Sequence, residues 1–315
     1  MLVWLERHQV SLYIASIVLG AAIGLVAPKV APTLALSINP VLALLLFATF
    51  LSVPLIDIAK AFGDTRFLVV LLILNFAVVP MIALGLSRFV AYDQGLMLGV
   101  LLVLLTPCVD YVIVFTGLAG GAREKLLASA PLLMILQLLL LPLYLWLFAD
   151  NATVSRIEVA PFVEAFIVLI ALPLAAAALV QWMARAHPLG QAIKSGMSAA
   201  MVPLMMATLA VVVGSQIPAV NDQLAKLIPL IPIFIGFLMV AVPLSLLSAR
   251  IARLDSPTTR AVIFSGATRN SLVVLPLALA LPGTLALAPL AVVTQTLVEL
   301  IAMVVFVRLV PRLAP

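Results

Sequence analysis

Six side chains in this sequence could do chemistry in surroundings that hardly tolerate it. Cys108 and Asp110 follow Pro107 in LLTPCVDYVIVFTGLAGG, residues 104–121. Arg269, Asn270 and Ser271 lie in FSGATRNSLVVLPLALALPG, residues 264–283, with Pro276 five residues further on. Glu299 sits in the last apolar stretch. A thiol is a soft ligand, a carboxylate carries a proton or holds a cation, and a guanidinium clamps an anion. Asn270 and Ser271 add an amide and a hydroxyl that can orient a bound group. Each charge at such a depth costs about 3 kcal/mol on insertion scales, so function is its default reading.

The elements that position these residues are membrane helices. Hydrophobic residues make up 65% of the 315 and charged ones 9%, a composition foreign to soluble domains. A single cysteine excludes an internal disulfide and a zinc cluster of cysteines. The net charge of +5 comes from short loops and is no nucleic-acid signal. The N-terminus runs into the first apolar stretch without a small-residue cleavage site, so no removable signal peptide is expected.

Stretches of roughly 20 residues predict ten spans, at about 11–27, 40–58, 67–90, 96–118, 126–148, 162–184, 198–216, 227–247, 264–283 and 285–307. The expected class is thus an all-α membrane protein, one integral transporter domain over 1–315. Twelve Lys and Arg fall on the N-terminal side and four on the other, with Arg269 on neither, which predicts both termini in the cytoplasm of a plasma-membrane protein.

Spans four and nine are interrupted, at Pro107 and at the stretch from Gly266 to Pro276. Proline removes a backbone donor and breaks or kinks a helix, and freed backbone groups survive only inside protein or beside a water-filled cavity. Ala130-Pro131-Leu132 with Gln137 recurs as Ala288-Pro289-Leu290 with Gln295, and Phe47-Ala48-Thr49 is echoed by Met206-Ala207-Thr208. Two five-span halves, about 1–150 and 151–315, are therefore expected as inverted repeats, with the broken helices crossing at the midplane. Thr49, Thr208, Gln137 and Gln295 are candidate cavity-lining residues on that plan.

Pro107-Cys108, the apolar run to Thr116 and the glycine pair resemble the arsenite permease family of the bile acid/arsenite/riboflavin transporter superfamily. Leu297-Val298-Glu299 with Met303 is similar to that family's last helix, and the layout is shared with sodium/bile acid symporters. The resemblance implies a panel of spans one, two, six and seven and a core built from the others. Two departures stand out. Where the permeases carry Asn-Phe-Glu, this chain has Asn270-Ser271-Leu272, without the carboxylate. Where the symporters hold sodium, it has Ser265 and Arg269 beside Asn270, and Val112-Ile113 in span four. A guanidinium there argues against a sodium site.

Each residue also has a plainer role. Cys108 fits as a small core hydrophobe. Asp110 and Arg269 could form a structural salt bridge between the broken helices, and Glu299 could hydrate near the cytoplasmic third of span ten. Gln137, Gln295 and Asn75 could simply bond helix to helix, for about 1 kcal/mol each. Enzymes fit poorly. Both histidines, His8 and His187, lie at helix ends, and no second aspartate pairs with Asp110 inside a span. A channel would line its pore with more polar residues than spans one, six and eight possess. The expected function is secondary transport without cofactor or metal, most simply proton-coupled efflux of arsenite or antimonite. Cys108, Asp110, Arg269, Asn270 and Ser271 would bind the cargo, and Asp110 or Glu299 would carry the proton. Ion-coupled transport of a small organic anion held by Arg269 is the alternative.

Overall fold

A computed structural model describes residues 2–53, 63–109, 111–148, 164 and 166–315. Every regular element among them is a helix. Six helical stretches are long and apolar enough to cross a membrane: Pro28–Ser52, Thr65–Val90, Arg123–Phe148, Pro188–Pro218, Ala225–Ile251 and Gly283–Leu313. Three shorter apolar helices, Ser11–Val26, Gln94–Leu104 and Leu172–Met183, accompany them. The chain divides into two compact units, Met1–Ile56 with Val163–Leu227, and Asp57–Phe162 with Ile228–Pro315.

The first unit contains α1 (Leu2–Val26), α2 (Ala31–Ser52), α8 (Leu172–Met183) and the long α9 (Pro188–Asp222). Small residues bring α1 against α9. A Cβ on Gly20 would stand 2.4 Å from the Ala210 carbonyl oxygen, and one on Gly24 would stand 2.4 Å from that of Gly214. Two small-xxx-small pairs thus meet, and close backbone approach replaces the hydrophobic drive that lipid cannot supply. Gln181 on α8 donates to the carbonyls of Phe50, Leu51 and Val53, satisfying the C-terminal end of α2. Thr49 and Thr208 are both buried here, and Thr208 bonds back to its own helix at Leu204.

The second unit holds α3 (Thr65–Ile73), a π-turn (Leu74–Val78), α4 (Val79–Ser87), α5 (Gln94–Leu104), α6 (Tyr111–Leu118) and α7 (Arg123–Phe148). After them come α11 (Leu230–Ile251), α12 (Ser256–Ala267), α13 (Ser271–Leu279) and α14 (Leu287–Leu313); α10 is the single turn Leu224–Leu227 of the first unit. Four of these helices start on a side-chain cap. Asp64, Asp93, Asp255 and Asn270 each accept the backbone N–H three residues on, at 3.0, 3.1, 3.2 and 3.3 Å.

Proline leaves a different signature in α4. Pro80 has no N–H for the carbonyl of Phe76, and the Tyr144 hydroxyl of α7 donates to that oxygen instead, at 2.5 Å.

The stretches expected as spans four and nine are each two helices with an extended gap, α5/α6 and α12/α13. Pro107 lies in the first gap. Pro276 does not lie in the second: it sits within α13, and the chain opens at 268–270 instead. The reason is local. The Thr268 hydroxyl turns back to Phe264 and ends α12, while Asn270 caps α13, so the helix is under way before the proline is reached. Asp110 and the 150–158 loop fall outside the described residues.

Candidate functional site

The two gaps run antiparallel and bridge at Pro107 and Arg269. Asn270 N–H donates to the Thr106 carbonyl at 2.8 Å, and Cys108 N–H to that of Thr268 at 3.4 Å. In this register the flanking residues make the bonds and the directly opposed pair makes none. A proline can therefore occupy one side of the bridge at no hydrogen-bond cost. Tight packing holds the gaps in place. A Cβ on Gly99 of α5 would stand 2.7 Å from the Ala288 oxygen of α14, and one on Gly266 would stand 2.1 Å from Ser245 Oγ of α11.

Arg269 is fully buried. Its guanidinium donates to the carbonyls of Ser265 at 2.6 Å, Gly266 at 3.1 Å and Leu104 at 3.4 Å, and to Asn75 Oδ1 at 2.9 Å. Phe237 of α11 lies under it, 5.5 Å from ring centroid to guanidinium carbon. The three carbonyls belong to the last turns of α12 and α5, where unsatisfied oxygens carry the negative end of the helix dipole. One cation thus answers both half-helix C-termini. Asn75, in the π-turn, completes the cage, its amide also donating to Leu71 and to the Ser265 hydroxyl at 3.0 Å each. Such turns are frequent at functional sites.

Glu299 is the described carboxylate at the crossing, and it is 1% exposed, not hydrated near a membrane surface. Its Oε2 accepts the Arg269 backbone N–H at 2.9 Å and the Gln295 amide; its Oε1 accepts the Tyr111 hydroxyl. That hydroxyl also lies 3.0 Å from the Arg269 carbonyl oxygen. Three donors on one carboxylate satisfy its oxygens inside the protein, where water does not reach them.

The crossing therefore gathers Cys108, Arg269, Asn270, Ser271, Gln295 and Glu299. Thr49 and Thr208 belong to the first unit, and Gln137 lies buried on α7 with its side-chain oxygen unpartnered. At the crossing, Arg269 Nε, the Asn270 amide nitrogen, Ser271 Oγ and Gln295 Oε1 are buried without hydrogen-bond partners. Buried polar atoms are normally paired, so these four mark positions where a ligand or water would bond. No group of three or more His, Cys, Asp or Glu among the described residues could hold a metal ion.

Sequence reasoning passed over Tyr111, Phe237 and Arg260. Arg260 donates to Ala119 and Gly120 at 3.1 Å each and to Ala314 at 2.9 Å, tying the C-terminal end of α6 to the end of α14. For Tyr111 a signal existed, a phenol beside a charged residue in an otherwise apolar half-helix.

Residues 39–226, which include the first gap with Pro107 and Cys108, match the model of the Sodium Bile acid symporter family. The chain belongs to that family. No curated protein matches the chain. As a member of the sodium bile acid symporter family it is a multi-pass membrane transporter, not an enzyme, and its substrate movement is coupled to an ion.

Proposed function

We propose that this family member is a proton-coupled antiporter of the plasma membrane that expels arsenite or antimonite. In this reading both termini are cytoplasmic, and ten spans form two inverted repeats of five. The observation that carries it is the position of Cys108: the chain's one thiol is buried in the gap of span four, bonded through its backbone to the gap of span nine. Trivalent arsenic bonds sulfur: the Cys108 S–H and one As–OH bond of arsenous acid break, an As–S bond forms, and the thiol proton leaves with the displaced hydroxyl as water. A single sulfur holds such cargo loosely enough to release it. Asn270 and Ser271, whose polar atoms are unpartnered, would bond the remaining oxygens. Glu299 carries the proton, with Asp110 as the other candidate.

The Arg269 cage supports proton over sodium coupling. Four neutral oxygens that could coordinate a monovalent cation already face a guanidinium. The unpartnered Arg269 Nε and Asn270 amide favour a second reading, a small organic anion whose carboxylate those donors would hold.

Arsenite uptake into everted vesicles under a proton gradient separates the two. Cys108→Ser keeps volume and polarity but replaces sulfur by oxygen, and it should abolish arsenite transport while protein level stays unchanged. Wild-type vesicles that accumulate neither arsenite nor antimonite would sink the metalloid reading. Transport of an organic anion that persists in Cys108→Ser and collapses in Arg269→Gln would establish the second.

A further inference from the structure

We infer that Tyr111 is a hydrogen-bond switch that passes the protonation state of Glu299 to the peptide at the helix crossing. The inference rests on the reading of Glu299 as proton carrier and is independent of the cargo.

A phenol donates one hydrogen. Among the described residues Tyr111 faces Glu299 Oε1 and the Arg269 carbonyl oxygen at 3.0 Å, both acceptors. It can serve one at a time. The other carboxylate oxygen, Oε2, is held by two N–H donors, the Arg269 peptide and the Gln295 amide, neither of which can accept a proton. An arriving proton therefore settles on Oε1, the oxygen that Tyr111 faces.

With Glu299 ionised, Tyr111 donates to Oε1. With Glu299 protonated, an O–H bond forms at Oε1 from a proton delivered by water, and it donates to the phenolic oxygen. The phenolic hydrogen then rotates about its C–O bond and donates to the Arg269 carbonyl. No heavy atom has to move, and deprotonation reverses each step.

The carbonyl that gains this bond belongs to the peptide unit whose N–H is that of Asn270, and that N–H donates to Thr106 across the crossing. Hydrogen bonds in series polarise one another. A proton on Glu299 thus strengthens the link between spans four and nine, and its loss relaxes that link.

Among the described residues, the titratable and charged groups around Glu299 are Tyr111 from α6 and Arg269 from the second gap, with the Cys108 thiol of the first gap near that guanidinium. Helices α5 and α13 bring no charged residue against α14, and Arg250 of α11 lies in that helix's last turn. Arg260 of α12 is bonded to Ala119, Gly120 and Ala314.

Infrared spectra of the detergent-purified full chain, titrated with pH and without cargo, test the switch. A protonated-carboxyl band that Glu299→Gln removes should appear. A tyrosine C–O band, identified by ring-labelled tyrosine among the four in the chain, should change with the same midpoint. Tyr111→Phe should remove that tyrosine change and alter the proton concentration at half-titration about tenfold. The labelled wild-type spectrum is decisive on its own if a variant fails to fold. Tyrosine bands that stay fixed while Glu299 titrates overturn the switch alone. Absence of any Glu299 titration overturns it together with the proton-carrier reading, and arsenite transport by wild-type vesicles remains a separate result.

Discussion

Among the described residues the guanidinium of Arg269 touches only neutral oxygens and a ring, and the carboxylates that could balance its charge are Glu299 and Asp110. Removing one member of a buried charge pair leaves the other uncompensated, at about 3–5 kcal/mol. Arg269→Gln and Glu299→Gln should each lower thermal stability in detergent by that order, and the double variant should lose less than the sum. Repeating the cycle with Asp110→Asn tells which carboxylate balances Arg269, since strictly additive losses mean no coupling. Asp64 presents the opposite, solvated case. The Lys125 ammonium, 2.6 Å away, and the Phe67 N–H hold its carboxyl below the ordinary value of 3.8. A depressed acid stabilises the fold above its unfolded pKa and stops doing so as pH falls through its folded one. The stability gap between wild type and Asp64→Asn should thus be constant near neutrality and close below about pH 4, as thermal melts from pH 3 to 7 would record.

At the scale of elements, each interrupted helix is completed by a neighbour. Tyr144→Phe should orphan the Phe76 carbonyl and cost about 1–3 kcal/mol. Adding Pro80→Ala restores a backbone N–H near that oxygen and should recover part of the loss; a double variant no more stable than Tyr144→Phe would show that Tyr144 acts otherwise. The two gaps were largely legible in the sequence, because proline, glycine and charged residues inside apolar stretches have few other uses. The exact opening of span nine was not. Pro276 has the louder letter, but the short side chains of Thr268 and Asn270 end one helix and start the next. The wiring of the site was hidden for another reason: Tyr111 and Glu299 are 188 residues apart, and Asn75 and Arg269 are 194 apart. Hydropathy and motif spacing report depth along a helix, not which faces meet, so Glu299 looked able to reach water and Tyr111 was passed over.

For the whole molecule, the proposed topology places tags at both ends in the cytoplasm and a reporter at 150–158 outside. A C-terminus on the far side would end both the ten-span count and the inverted repeat. Exchanging sodium for choline should leave transport unchanged. The Arg269 cage has one more consequence, which concerns energy supply. An ion that visits a site from solution brings the free energy of its own gradient and leaves with it. A charge fixed to the backbone visits from nowhere, so it shapes the field but drives nothing. Under the proposed coupling of one proton per cargo molecule, a neutral cargo can then be concentrated at most about tenfold for each unit of pH difference. Membrane potential adds to that limit, and sodium does not enter it. The ceiling on how empty such a transporter can keep a cell is set by its proton gradient, whatever the salt outside.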